Sequence, residues 1–282
     1  MQRTIVGAVQ MTSGPDKARN LATAVRLVEE AAARGAQLIA LPELFNCLAD
    51  SATIVSQAEP VPGPTSLAMS ELAARLQVTL LAGSIAQRVE GSDKVFNASL
   101  LFSPKGEQLA CYRKIHLFDI DLPGQITFQE SGFMQAGDRL VVTETAIGRL
   151  GQATCYDLRF PELFRRLVDA GADVLCVPSA FTLATGRDHW QPLLRVRAIE
   201  NQTYVIASNQ YGNNGPGIVT YGRSAIIDPW GVSLAIAADG ETVITAEIDL
   251  DHQAEIRERL PALRHRRNLD EMNLDVSNVD PE

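Results

Sequence analysis

A multilayer α/β sandwich is the fold class this sequence predicts, and three observations predict it. Apolar runs of strand length alternate with amphipathic helical segments, the pattern of βα units. Two strand-turn-strand units, turning through Ser103-Pro104-Lys105-Gly106 and Asp228-Pro229-Trp230-Gly231, interrupt that alternation and add antiparallel strands. Glycine and proline are scattered as punctuation, with no low-complexity stretch and no evident tandem repeat. Two mixed sheets packed face to face, with helices outside, satisfy all three.

Taken in order, residues 5–11 read as a first strand. Pro15-Asp16 then opens an amphipathic helix carrying Leu21, Val25, Leu27 and Val28 and ending near Gly35. Residues 38–41 form a buried strand that delivers Glu43 to its mouth. Residues 46–65, rich in small residues and holding three prolines, read as a long surface loop and a candidate pocket wall. A helix over 66–77 and a strand over 78–85 follow, then the first hairpin, 95–102 with 107–113, which delivers Lys114. A β-type run from Arg149 ends at Cys155; after a short turn, Pro161 starts a helix with Leu163, Phe164, Leu167 and Val168 on one face. Residues 173–178 (strand), 189–201 (helix) and 203–208 (strand) continue the alternation. The glycine-rich stretch 212–217 lacks a phosphate-loop pattern and reads as a turn. The second hairpin (224–227 with 232–237), a strand over 241–250 and a helix over 251–259 complete one domain, residues 1–268. Residues 269–282 form a tail, either disordered or lying on a neighbouring subunit.

Composition excludes several classes of function. With 282 residues, 46% of them hydrophobic, the chain can bury a large core. A formal charge of −9 argues against nucleic-acid binding, which needs a basic face, and the cluster Arg264-His265-Arg266-Arg267 reads as a solvated or subunit-contact patch. No apolar run approaches the ~20 residues that span a bilayer. Cys47, Cys111, Cys155 and Cys176 are far apart and form no CxxC pair, which points to a reduced, cytoplasmic protein without a zinc site.

The chemistry concentrates at three strand ends. Cys155, in Gly-Gln-Ala-Thr-Cys-Tyr-Asp-Leu-Arg-Phe-Pro-Glu, stands at a strand-to-helix elbow, where a nucleophile projects from a rigid support. Backbone N–H groups beyond such an elbow can converge on a substrate oxygen. Glu43, in Leu-Pro-Glu-Leu, and Lys114, in Cys-Tyr-Arg-Lys-Ile-His-Leu-Phe-Asp, are a carboxylate and a cation at two other strand mouths. His116, two residues on, reads as a satisfied structural histidine.

With these motifs the sequence resembles the carbon-nitrogen hydrolase (nitrilase) superfamily from about residue 5 to about residue 267. The resemblance implies a four-layer α-β-β-α sandwich, commonly paired into homodimers or larger homo-oligomers, and a Glu43-Lys114-Cys155 triad working without metal or organic cofactor. Glu130 matches an additional glutamate that this family uses near the lysine. The residues after Cys155 are similar to the amidase branch rather than to nitrile-cleaving members, which usually carry Cys-Trp-Glu. Residues 112–131 look like omega-amidases; residues 195–200 and 208–212 look more like deaminated-glutathione amidases. The substrate so implied is the side amide of a small 2-oxo acid, deaminated glutathione first and 2-oxoglutaramate or 2-oxosuccinamate as the alternative. The residues expected to bind it are Tyr156, Arg159, Phe181, Arg187 and His189. Thr185-Gly186-Arg187-Asp188-His189-Trp190 follows the family's pocket-edge pattern but departs at Arg187-Asp188, where the two eukaryotic amidase groups commonly carry Pro-Ala. A catalytically idle member serving as a binding scaffold is the competing reading, and the intact triad weighs against it.

Overall fold

The structure is a computed structural model and describes residues 3–122, 126–269 and 272. The tail expected over 269–282 lies outside the described residues except for Leu269 and Met272.

The chain runs β1 (Arg3–Gln10), α1 (Lys17–Ala33), β2 (Leu38–Ala40), α2 (Ser51–Ser56), α3 (Pro64–Leu76), β3 (Thr79–Arg88), β4 (Val95–Phe102), β5 (Gln108–Arg113), β6 (Asp119–Leu122), β7 (Ile126–Gln129) and β8 (Val142–Thr145). It continues through β9 (Gly148–Gln152), α4 (Pro161–Asp169), β10 (Val174–Cys176), α5 (Leu183–Asn201), β11 (Tyr204–Ala207), β12 (Tyr211–Gly215), β13 (Ile218–Tyr221), β14 (Ala225–Ile227), β15 (Ser233–Ile236), β16 (Thr242–Asp249) and α6 (Leu250–Arg259). Six strands form one sheet in the order β16-β1-β2-β3-β4-β5, and six form a second in the order β15-β14-β11-β10-β9-β8. In each sheet three parallel strands sit between antiparallel ones, β1-β2-β3 in the first and β9-β10-β11 in the second.

Four layers result because each sheet is apolar on both faces. Val6, Ala8 and Leu38 of the first sheet pack on Leu150, Val174 and Ile206 of the second. The other face of the first sheet buries Val9 and Ile39 under Leu27 and Val28 of α1 and Met69 of α3. The outer face of the second buries Leu175 and Val205 under Phe164 and Leu167 of α4 and Trp190 of α5. Strands covered on both faces read as continuous apolar runs, which is why 38–41 and 173–178 were recognisable as strands. The helix at 17–33 is closed at its start by Asp16, whose carboxylate accepts from the Arg19 N–H at 3.0 Å.

Four details differ from the sequence-based expectation. Residues 46–65 are no surface loop: residues 44–49 are buried, α2 lies within the segment, and Leu48, Ala49 and Ile54 wall the site. A half-buried ion pair, Lys17 Nζ to Glu59 Oε1 at 2.7 Å, ties the segment down, with Glu59 also accepting from Thr65. The stretch 212–217 is a hairpin, β12 with β13, rather than a simple turn. Helix α5 begins six residues earlier than expected, with Thr182 as its cap. The β6-β7 hairpin and strand β8 had no clear signal.

Candidate active site

The site is assembled from the mouths of both sheets. Glu43 follows β2, Lys114 follows β5, Cys155 follows β9 and Ala180 follows β10. Two backbone positions here have left-handed geometry without being glycine: Leu44 at φ 48° and Cys155 at φ 46°. Such conformations cost about 1–3 kcal/mol each and persist only where the surroundings over-determine them. At Cys155 the surroundings are explicit. Its N–H donates to Pro178 O at 2.9 Å, and the turn of 3-10 helix Cys155–Arg159 is pinned by the wholly buried Asp157. Asp157 accepts from Tyr112 Oη (2.6 Å), Thr154 N (2.8 Å) and His116 N (3.0 Å), and its Oδ1 lies 2.7 Å from His116 Nδ1. The elbow that carries the thiol is thereby bolted to the strand end that carries Lys114. His116, stacked on Phe160 with ring centroids 3.7 Å apart, is part of that bolt and holds the structural place expected of it.

Glu43, Lys114, Glu130 and Cys155 converge, all nearly inaccessible. Lys114 Nζ donates to Glu43 Oε1 at 3.0 Å and to Glu130 at 2.8 and 3.1 Å. Glu43 Oε1 also accepts from Asn97 Nδ2 at 2.7 Å, and its Oε2 from the Ala180 N–H at 2.7 Å. Glu130 is held in turn by the Phe118 N–H at 2.6 Å. Burial disfavours the charge on Lys114, but the carboxylates of Glu130 and Glu43 outweigh it and hold the ammonium well above the ordinary lysine range. Burial, with Glu43 adding to it against the pull of Lys114, pushes the Glu130 carboxyl up. The Cys155 thiol is pushed far up by burial and by the Glu43 charge, which together overcome the lowering by Lys114. The resting nucleophile candidate is a thiol, not a thiolate.

Asn97 was missed by sequence reasoning, as was the Ala180 N–H. A signal for Asn97 existed: it is a polar residue inside the apolar strand Val-Phe-Asn-Ala-Ser-Leu-Leu-Phe, and a buried amide in a core strand needs a partner. Nothing in the sequence marks Ala180, because its contribution is a backbone group brought in from the second sheet.

A cavity of about 160 Å³ opens beside the four groups, walled mainly by apolar side chains such as Leu48, Ile54, Phe128, Met134 and Ile218. On the other side of Cys155 lies a narrow crevice lined by Tyr156, Arg159, Phe181 and Thr185. Arg159 sits over the rings of Phe181 (5.2 Å) and Tyr156 (5.7 Å), with Nη1 3.2 Å from His189 Nδ1. Of the five expected substrate-binding residues, Tyr156, Arg159 and Phe181 therefore line one crevice with Cys155. His189 touches it only through Arg159, and Arg187 stands apart in an outer vestibule. Among the described residues no group of three or more His, Cys, Asp or Glu is placed to hold a metal ion, and no helix is long and apolar enough to cross a membrane.

Fold and site together define a hydrolase acting on carbon-nitrogen bonds other than peptide bonds, and the comparisons with known proteins agree. The chain belongs to the carbon-nitrogen hydrolase family, whose sequence model matches residues 5–258. It is 43% identical over 269 residues to a deaminated glutathione amidase of Synechocystis, covering 94% of this chain and 99% of that one. It is 41% identical over 268 residues to omega-amidase NIT2 of Xenopus tropicalis, covering 95% and 96%. Among solved structures, Saccharomyces cerevisiae Nit3, a member of branch 10 of the nitrilase superfamily, superposes with a TM-score of 0.86 at 32% identity over 95% of this chain and 97% of that one.

Proposed function

We propose that the protein is a cysteine-dependent amidase that hydrolyses the side amide of a small 2-oxo acid, deaminated glutathione first and 2-oxoglutaramate or 2-oxosuccinamate as the alternative. The observation that carries this reading is the convergence on one cavity of the buried Cys155 thiol and a Glu43 carboxylate that is itself oriented by Lys114 and the Ala180 N–H. Because burial keeps the thiol protonated, Glu43 takes its proton as sulfur attacks the amide carbon. Lys114 and the Tyr156 N–H, one of the first N–H groups of a helical turn and so without an intrahelical acceptor, stabilise the oxyanion. As the tetrahedral species collapses, Glu43 returns the proton to the departing amine and Cys155 retains the acyl group as a thioester. Water, deprotonated by Glu43, then attacks the thioester, and the thiol leaves with its proton restored. The sum is amide plus water giving carboxylic acid plus amine or ammonia, balanced by the protein's own residues and water. Glu130 accepts from the same ammonium with both carboxylate oxygens, holding Lys114 charged and in place.

The 2-oxo carboxylate needs a cation outside the triad, and Arg159 in the crevice beside Cys155 is suited to it. Its guanidinium is oriented by two aromatic rings and by His189, so little side-chain freedom is left to lose on binding. We also assign the protein to the cytoplasm, on four unpaired cysteines, and to a homodimer or larger homo-oligomer, on an exposed apolar face shared by Val196, Ile199, Trp230 and Val232. Release of 2-oxo acid and amine from deaminated glutathione and from 2-oxoglutaramate by the purified protein, with Cys155→Ala as the blank, tests the assignment. Cys155-dependent release from one or both is expected; release from neither overturns it and restores the scaffold reading.

A further inference from the structure

Resting on the amidase reading, we infer that the outer vestibule at Arg187 is a second anion subsite, which receives a carboxylate at the far end of the leaving amine. Three spaces meet around Cys155. The arginine crevice lies on one side and the apolar cavity on the other, and both are lined by Cys155, Phe118, Ala180 and Thr182. The apolar cavity is continuous outward with an open vestibule of about 480 Å³, because Thr182, Gly217 and Val219 line both. Arg187, with Leu183, Ala184 and Asp188, forms the rest of that vestibule.

The charge distribution decides which part of a substrate goes where. The cavity wall offers no cation but Lys114, which two carboxylates already engage, so a free carboxylate is poorly served there. The 2-oxo carboxylate is directed to the Arg159 guanidinium, beside a crevice of about 10 Å³ that has room for little more than that one group. The substituent on the amide nitrogen then crosses the apolar cavity of about 160 Å³. A substituent of two residues, spanning up to about 7 Å extended, carries its terminal group through the cavity toward the vestibule. There the Arg187 side chain has no hydrogen bond, ion pair or ring contact among the described residues, even with its neighbour Asp188. An exposed arginine that its adjacent aspartate leaves unengaged, at the mouth of the substrate cavity, is available to an incoming carboxylate. The ligand class is an amine component ending in a carboxylate, such as a dipeptide, rather than ammonia alone. Asp188 on the same wall works against a second negative charge, so a single carboxylate is the limit.

Three substrates sharing the 2-oxoglutaryl acyl group test this: 2-oxoglutaramate, 2-oxoglutaramyl-Ala-Gly and 2-oxoglutaramyl-Ala-Gly-NH2, all followed by 2-oxoglutarate release. The wild-type protein is expected to favour the carboxylate-ended peptide over its carboxamide by about fivefold in kcat/KM, expressed in KM and shrinking with added salt. Arg187→Gln should abolish the preference and Arg187→Lys should retain part of it, each normalised to that variant's own rate on 2-oxoglutaramate. An unchanged ratio in Arg187→Gln, or wild-type hydrolysis of 2-oxoglutaramate but of neither peptide, overturns the subsite while the amidase reading stands. Failure of the wild-type protein on all three overturns both.

Discussion

The two sheets share one strand pattern, and the difference between them is the candidate active site. Register pairs Val6 with Leu38 in the first sheet and Leu150 with Val174 in the second, each between the first two parallel strands. Counting outward from those pairs, Leu38-Ile39-Ala40-Leu41-Pro42-Glu43-Leu44-Phe45 corresponds to Val174-Leu175-Cys176-Val177-Pro178-Ser179-Ala180-Phe181, proline for proline. Met11 corresponds to Cys155 in the same way. The first half therefore places a carboxylate where the second has a buried serine, and the second places a thiol where the first has a buried methionine. At Ala180 the second half contributes only a backbone N–H, and that N–H holds the first half's carboxylate. Similar scaffolds facing each other bring a carboxylate, an ammonium and a thiol together because single residues at equivalent strand ends differ. Neither half has the set alone.

Replacing a reactive residue by its counterpart gives the largest expected effect. Cys155→Met should lower the rate of Cys155-dependent hydrolysis at least about 10⁴-fold, with Cys155→Ala equally inactive as the control for bulk. Glu43→Gln should lower kcat by about 10²–10⁴-fold through loss of the base. The same change should raise alkylation of Cys155, since Glu43 holds the thiol up and Lys114 pulls it down. The sign is what matters: with the raising charge removed, more thiolate exists at a given pH, so iodoacetamide labelling and hydrolysis must move in opposite directions. In the wild-type protein, labelling of Cys155 should stay below that of an ordinary thiol past pH 9, followed by mass spectrometry on the Cys155 peptide.

The bolt between the elbow and the Lys114 strand comes next. Asp157→Asn puts an N–H2 against at least one of the donors that the carboxylate now receives, at a cost of about 3 kcal/mol, or a Tm lower by about 6–12 °C. A melt unchanged within 2 °C of wild type would mean that the elbow is held by other contacts. The smallest effect belongs to Ser179→Ala. The hydroxyl opposite Glu43 in the comparison donates only to Val177 O at 3.2 Å, so a loss under about 1 kcal/mol and unaltered kcat are expected. A large fall in kcat there would show that the β10 end supplies more than an N–H.

The parts of the fold that were legible are those where local pattern and tertiary environment agree. The parallel strands announce themselves by continuous apolar runs, and α1 by its cap and stripe. Strand β12, Tyr-Gly-Asn-Asn-Gly, has almost no strand propensity and exists because β13 pairs with it. The first turns of α5 contain Gly186, an unfavourable helical residue, but one that is needed where Tyr221 packs so close that a Cβ would stand 2.4 Å from it. In the site, Glu43, Lys114, Glu130 and Cys155 were nameable from motif resemblance, and the structure brings all four together. Asn97, Ala180 and the Asp157 network were not, because their roles are hydrogen bonds between segments far apart in the chain.

The sequence by itself determined the alternation of elements, the apolar faces that force two sheets into four layers, and the identity of the reactive groups at strand ends. These are local properties, carried by side-chain type and period. Tertiary structure alone decided that burial and Glu43 push the thiol up, that two carboxylates hold Lys114 above the ordinary lysine range, and that Arg159 lies beside Cys155 while Arg187 stands at the outer mouth. Those outcomes depend on burial and on distances across the two facing sheets. Coulomb and desolvation energies follow spatial separation, which a linear order of residues does not contain.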